Sequence, residues 1–184
     1  MLRVIGGSAK GRLLRSVPGS GTRPPLARVR AAVFNIVQER LPGSRVLDLF
    51  AGTGSYAIEA LSRGAEFAVA VDSSPQAIAT MRHNLQATGF AQKARLVPGT
   101  IPGILHTLKG SQFDLIVVAP PYFKDLGEPT LLAISSLGLI HPEGVVVFQH
   151  DKRESVPERA GILHLHRTYT YGTNCISLYL VSPA

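Results

Sequence analysis

Residues 46–54 read Val46-Leu47-Asp48-Leu49-Phe50-Ala51-Gly52-Thr53-Gly54, a short apolar run that ends in two glycines. The run has little polar alternation, which predicts a strand covered on both faces. It leads into a glycine turn and then a helical stretch over residues 55–63. In an open parallel sheet, ligands sit beyond the carboxyl ends of such strands. Gly52 and Gly54 therefore predict a backbone that lies close to a ligand, with Phe50 and Ala51 beside it.

The same rhythm continues outward from this unit. Apolar strands are predicted at Arg45–Phe50, Phe67–Asp72, Ala94–Val97, Phe113–Val118, Val145–Gln149, Ile162–His166 and Cys175–Val181. Helical stretches near 55–63, 75–88, 101–108 and 128–138 alternate with the earlier strands. This alternation predicts an α/β fold, a mostly parallel, doubly wound sheet of seven strands. The last two strands have no room for a crossover helix between them, so an antiparallel pair is expected there. Upstream, Pro24 and Pro25 open a helix whose apolar residues Leu26, Val29, Val33, Ile36 and Val37 recur at helical spacing. Residues 2–17 read as two short strands around a glycine-rich turn. The expected organisation is a basic hairpin extension over residues 1–23 and one α/β domain over residues 24–184.

The 184 residues include 19 Lys and Arg, 12 Asp and Glu, and a single cysteine. One cysteine excludes a disulfide framework and a cysteine cluster for zinc. No apolar run approaches the roughly 20 residues that span a bilayer, and the start lacks a signal-peptide core, so a cytoplasmic protein with no membrane partner is expected. The net charge of +7 is not spread evenly. Arg3, Lys10, Arg12, Arg15, Arg23, Arg28 and Arg30 all precede Glu39, the first acid, and the remainder is balanced. Such a concentration favours a polyanionic partner through counterion release, against the alternative of a plain solvated face. Arg3, Lys10, Arg12, Arg15 and Arg23 are the candidate phosphate contacts.

Asp72 ends the second strand 18 residues after Gly54, where a carboxylate can accept ribose hydroxyls. Gly52–Ala57 also fits the loose dinucleotide pattern G-x-G-x-x-A, so two ligand classes are open. Asp48 discriminates between them. A carboxylate four residues before the first glycine opposes a pyrophosphate but suits the positive sulfonium and amino group of S-adenosylmethionine.

The fourth strand, Phe113–Val118, runs into Ala119-Pro120-Pro121-Tyr122. This resembles the amino-methyltransferases whose fourth strand ends in (Asp/Asn)-Pro-Pro-(Tyr/Phe). With TRPPLARVRAAVFN (Thr22–Asn35), VLDLFAGTG and YGTN (Tyr171–Asn174), nearly the whole chain resembles the RsmD-type methyltransferases. That resemblance implies a Rossmann-like class I methyltransferase fold. It also implies methylation of the exocyclic N2 of one guanine in bacterial 16S rRNA, within the small ribosomal subunit. In such a site the first motif side chain and the Pro120 carbonyl would hold the amine N–H groups, and Tyr122 would stack on the extruded base. Asp48, Phe50, Ala51, Gly52, Gly54, Asp72 and Thr100 would line the cofactor.

Several positions depart from that pattern. Ala119 replaces the motif acid or amide and cannot accept a hydrogen bond. Thr100 stands where the family offers an acid, and Gln149, followed by His150, stands where a glutamate is common. Asp125 or His150 are the neighbours that could supply the missing acceptor. A relative that binds RNA and cofactor with little turnover, and a nicotinamide-dependent oxidoreductase, are the rival readings. A DNA amino-methyltransferase is disfavoured by the absence of a target-recognition domain. The six histidines show no metal-ligand spacing, so no metal is expected, and Cys175 reads as a small buried hydrophobe.

Overall fold

Apolar strands and helices bury their faces by layering. The computed structural model, which describes residues 1–19 and 26–184, realises that solution. The elements are α1 (Ala27–Val37), β1 (Arg45–Leu49), α2 (Ser55–Ser62), β2 (Phe67–Asp72), α3 (Pro75–Thr88), β3 (Ala94–Pro98), β4 (Phe113–Val118), α4 (Gly127–Ser136), β5 (Ile140–Asp151), β6 (Arg159–Ala160), β7 (Leu163–Tyr171) and β8 (Asn174–Val181). They build one sheet in the order β3-β2-β1-β4-β5-β8-β7-β6. β1 to β5 pair in parallel, while β8 lies antiparallel to both β5 and β7. The strand order reverses between β1 and β4, which opens a crevice at their carboxyl ends.

Alternate residues of the strands feed two apolar cores, one on each face of the sheet. Val46, Ala68 and Leu115 pack with residues of α1, α2 and α3 on one face. Leu47, Leu49 and Ile116 pack with α4 and the 3-10 turn Gly103–Leu108 on the other. The bounds of α3 follow from its ends. Ser74 Oγ accepts the Ala77 N–H, Pro75 sits in the first turn, and Gly89 caps the other end in the left-handed conformation. Among the described residues, no helix is long and apolar enough to cross a membrane.

Some local expectations are corrected. The sheet has eight strands rather than seven, because the two-residue β6 adds an edge to β7. Two residues carry no readable hydrophobic period. The 101–108 stretch is a 3-10 helix over Gly103–Leu108, and β5 extends back to Ile140. Residues 2–17 contain one bridge, Arg3 to Leu13, instead of two strands. The donors that would extend a ladder are used elsewhere, since the Ile5 and Gly6 N–H groups donate to the Glu59 carboxylate and the Ala9 N–H to Ser62 Oγ. Helix α1 starts at Ala27, and the expected opening at Pro24 and Pro25 lies outside the described residues.

Candidate active site

The backbone gathers the segments singled out from the sequence along one edge. Beyond the strand ends, the Ala51 N–H donates to Val71 O, the Ala119 N–H to Leu49 O and the Gly99 N–H to Asp72 O. The glycine turn, Asp72, the Pro98–Thr100 exit and the Ala119–Tyr122 motif therefore lie side by side. Phe50 adopts φ 61°, a left-handed conformation that strains a bulky residue, and Gly52 follows at φ 57°. A Cβ on Gly52 would meet nothing within 4 Å, so that side of the turn faces open space. Gly54 answers to a different constraint. At φ 78° it precedes α2, and a Cβ there would come within 3.0 Å of Met81 Cγ, so packing against α3 demands its glycine.

Asp48 is fully buried beneath this turn. Its Oδ2 accepts the Ala57 N–H at 3.0 Å, and among the described residues its Oδ1 has no partner. Burial pushes the carboxyl up to about 7, opposed by the Ala57 bond and aided by the nearby Asp72 charge. A buried acceptor without a donor is rare in folded proteins, and an added cation would satisfy it. Asp72 is more fully engaged, since its Oδ2 accepts the Gly52 N–H and its Oδ1 the Ser74 N–H, both at 2.9 Å. Each oxygen keeps a second lone pair for a ligand hydroxyl. Thr100 is exposed just past β3.

On the β4 side, four side chains form a continuous chain of hydrogen bonds. Tyr56 Oη donates to Gln149 Oε1 at 2.6 Å, Gln149 Nε2 to Tyr122 Oη at 3.0 Å, and Tyr122 Oη to Asn174 Oδ1 at 2.6 Å. Helix α2, strand β5, the motif and the β7–β8 turn are thus tied together. The Tyr122 ring is held in place by these bonds, and burial raises its phenol. His150 is buried, with Nδ1 at 3.0 Å from Asp151 O and Nε2 at 2.8 Å from Ser177 Oγ, so it offers no free nitrogen. Asp125 is exposed, and the Gln149 amide is engaged at both ends, its Oε1 by Tyr56 and its Nε2 by Tyr122. Gln149→Leu would strand the buried Tyr56 hydroxyl, at about 1–3 kcal/mol. A drop of several degrees in Tm is expected by calorimetry, and an unchanged Tm would show that the chain of bonds contributes nothing.

The basic N-terminal residues are spread along α2 rather than gathered at this edge. Arg15 lies beside the glycine turn, because Asn84 accepts its N–H and donates from Nδ2 to both Arg15 O and Thr53 O. Exposed Lys10 belongs to the loop bonded to Ser62, about 12 Å along the helix from that turn. Exposed Arg3 and Arg12 lie in the strip between, and Arg23 is outside the described residues. Arg30 is buried against Glu59 and donates to Arg3 O, so it is a structural cation. Exposed Arg28 sits over the β7–β8 turn, near where a Cβ of Gly172 would stand. Reasoning from sequence missed Glu59, Tyr56 and Asn84. The one available sign was a lone acid inside the apolar helix SYAIEALS.

The parallel sheet with an antiparallel β8, the strand order and the edge just described define a Rossmann-like class I methyltransferase fold. The family model described as conserved hypothetical protein 95 matches residues 2–180, and the chain belongs to this family, that of the RsmD-type methyltransferases. YlbH of Bacillus subtilis is 36% identical over 180 residues, covering 97% of this chain and 98% of that protein. Ribosomal RNA small subunit methyltransferase D of Escherichia coli is 30% identical over 178 residues, covering 97% and 89%. The solved structure of hypothetical protein TTHA0928 from Thermus thermophilus superposes with a TM-score of 0.84 at 32% identity, covering 98% of this chain and all of that one, a coverage of 100%.

Proposed function

We propose that this protein transfers a methyl group from S-adenosylmethionine to the exocyclic N2 of a guanine in 16S rRNA, acting in the cytoplasm on the small ribosomal subunit. The observation that carries the reading is the orphaned Asp48 Oδ1 beneath a glycine turn that borders the Pro-Pro-Tyr motif. The residues fit the cofactor, because a buried carboxylate without a donor suits a cationic ligand and Gly52 opens onto free space. Asp48 would hold the cationic end, Asp72 the ribose hydroxyls and Thr100 the adenine amine, with Phe50, Ala51, Gly52 and Gly54 shaping the turn. When bound, the cofactor supplies an electrophilic methyl on a positive sulfur.

This chain's own work is to position the amine. A guanine N2 lone pair is delocalised into the ring, and an acceptor for its N–H groups turns it outward. The Pro120 carbonyl is that acceptor, Pro121 keeps the turn rigid, and the Tyr122 ring, held by Gln149 and Asn174, is a ready stacking surface. Residues 1–23 serve as the RNA-contacting segment and residues 24–184 as the methyltransferase domain. Arg3, Lys10, Arg12, Arg15 and Arg23 would contact phosphates.

The test is transfer of tritiated methyl to small subunits lacking their own modification, beside protein-free 16S rRNA. Incorporation at one guanine N2 is expected, and incorporation into neither RNA would sink the reading. Ala119 favours a second reading, in which turnover is impaired. Restoring the acceptor by Ala119→Asp is worth about 1–3 kcal/mol, so transfer is expected to rise about 5- to 150-fold. An unchanged rate would mean that the Pro120 carbonyl suffices.

A further inference from the structure

Beyond the motif, the chain builds a second aromatic surface. Phe123 is 54% exposed, although its ring is among the larger apolar groups of the protein. It also adopts φ 59°, a left-handed conformation that costs a bulky residue about 1–3 kcal/mol, and Asp125 repeats it at φ 53°. An exposed ring on a strained backbone persists only if its surroundings hold it. Here they do. The Phe123 N–H donates to Glu154 Oε1 at 2.9 Å, while Glu154 Oε2 accepts the Asp151 N–H at 2.8 Å. The Arg153 guanidinium lies 4.9 Å from the ring centroid and is itself clamped to Asp151 by bonds of 2.9 and 3.1 Å. The Tyr122 and Phe123 rings stand nearly perpendicular, at 81°, with the centroids 6.5 Å apart.

None of these features serves the core, since Phe123 belongs to neither apolar cluster. Exposed cations stand beside it, interleaved with acids. The Lys152 N–H donates to Thr173 O beside the turn that Arg28 covers, and Lys124 is exposed next in the chain. These cations escape a reading of net charge because Asp151, Glu154 and Asp125 balance them in sequence. In space, Asp151 and Glu154 turn their oxygens to the donors that fix the platform, which orders these acids without removing their charge.

We infer that Phe123, backed by Arg153, is a stacking platform for an RNA nucleobase adjoining the target nucleotide. An aromatic face beside a guanidinium suits an unpaired base followed by its phosphate, and stacking of this kind tolerates any base. Tyr122 and Phe123, consecutive residues with rings nearly perpendicular, then receive two different bases splayed apart. Phe123 selects for unpaired RNA at the site, a role distinct from that of the reacting motif.

This inference rests on the proposed RNA substrate, so the experiment separates the two. Wild type, Phe123→Leu and Phe123→Trp are compared on whichever of the small subunit and protein-free 16S rRNA the wild type methylates. Phe123→Leu is expected to raise the RNA KM about tenfold with the S-adenosylmethionine KM and Tm unchanged, and Phe123→Trp, which keeps a ring face, to restore it. Ultraviolet cross-linking of wild type to 16S rRNA should leave a nucleotide on the peptide that carries Phe123. Equal RNA KM values for wild type and Phe123→Leu, or a cross-link from Phe123 to a ribosomal protein, would overturn the platform. A wild type that methylates neither RNA overturns the proposed function instead, and the cross-link then decides the platform alone.

Discussion

An Asp48→Asn protein is expected to bind S-adenosylmethionine about 100-fold more weakly than wild type and, without cofactor, to be the more stable of the two above pH 7. Both effects come from one unpartnered oxygen. Hydrogen bonds to charged groups contribute about 1.5–3 kcal/mol, and an asparagine amide turned toward a cation would add repulsion. The stability effect follows from proton linkage. Asp48 titrates near 7 in the folded protein, against about 3.9 for an unfolded aspartate. Between those values the native state holds the proton and the unfolded state does not, so stability falls as pH rises from about 4 to about 7. Above 7 the buried charge is carried in full, at a cost on the order of a few kcal/mol, and asparagine removes it. Under the proposed function, cofactor binding should have the opposite dependence in wild type, with the ionised carboxylate as the binding form. Affinity should rise with pH up to about 7 and then level, while the asparagine variant shows neither slope. Calorimetric titrations and melts at pH 5 and pH 8 measure both. Parallel stability curves for the two proteins would sink the assignment of Asp48 as the buried, cation-seeking group.

The parts of this site that were legible in sequence are those built from neighbours in the chain. Residues 46–54 disclose a strand, a turn and a carboxylate because all three are written within nine positions, and helix α3 carries its own caps at Ser74 and Gly89. What stayed hidden depends on contacts between distant residues. Helix α2 was expected over residues 55–63 and is found at Ser55–Ser62, but the burial of its every residue was not readable. The reason is that the N-terminal segment covers the side turned away from the sheet, with Val4, Ala9 and Leu14 joining the same core. Two strands were expected in that segment because two short apolar stretches flank a glycine-rich turn. Its backbone donors instead find Glu59 and Ser62, more than 50 positions away, and the ladder stops at one bridge. The bonded chain from Tyr56 to Asn174 was unreadable for the same reason, since Tyr56 and Gln149 stand 93 positions apart. The expected stacking residue Tyr122 turns out to be oriented by it. The charge excess was real, but Arg30 spends its charge inside the core.

Removing the Glu59 carboxylate should be strongly destabilising, with Glu59→Ala costing about 3–5 kcal/mol. Glu59 is 1% exposed and accepts the Ile5 N–H at 2.9 Å, the Gly6 N–H at 2.8 Å and Arg63 Nε at 2.9 Å. It also faces Arg30 Nε at 4.0 Å, a cation equally buried, whose pKa burial lowers and Glu59 helps to hold up. Alanine would leave that guanidinium uncompensated and two backbone donors without acceptors. For a chain of this size about 2–4 °C is lost per kcal/mol, so Tm should fall by about 6–20 °C. Glu59→Gln keeps an acceptor for the backbone but gives up the charge, and should fall between. The double variant Glu59→Ala with Arg30→Met supplies the decisive comparison. A buried ion pair replaced at both positions by apolar groups costs far less than one broken from a single side. The double variant should therefore melt above Glu59→Ala alone, even though it carries one more substitution. If the two changes simply add, the buried charge is not what Glu59 offsets, and its role reduces to pinning the Ile5 and Gly6 backbone on α2.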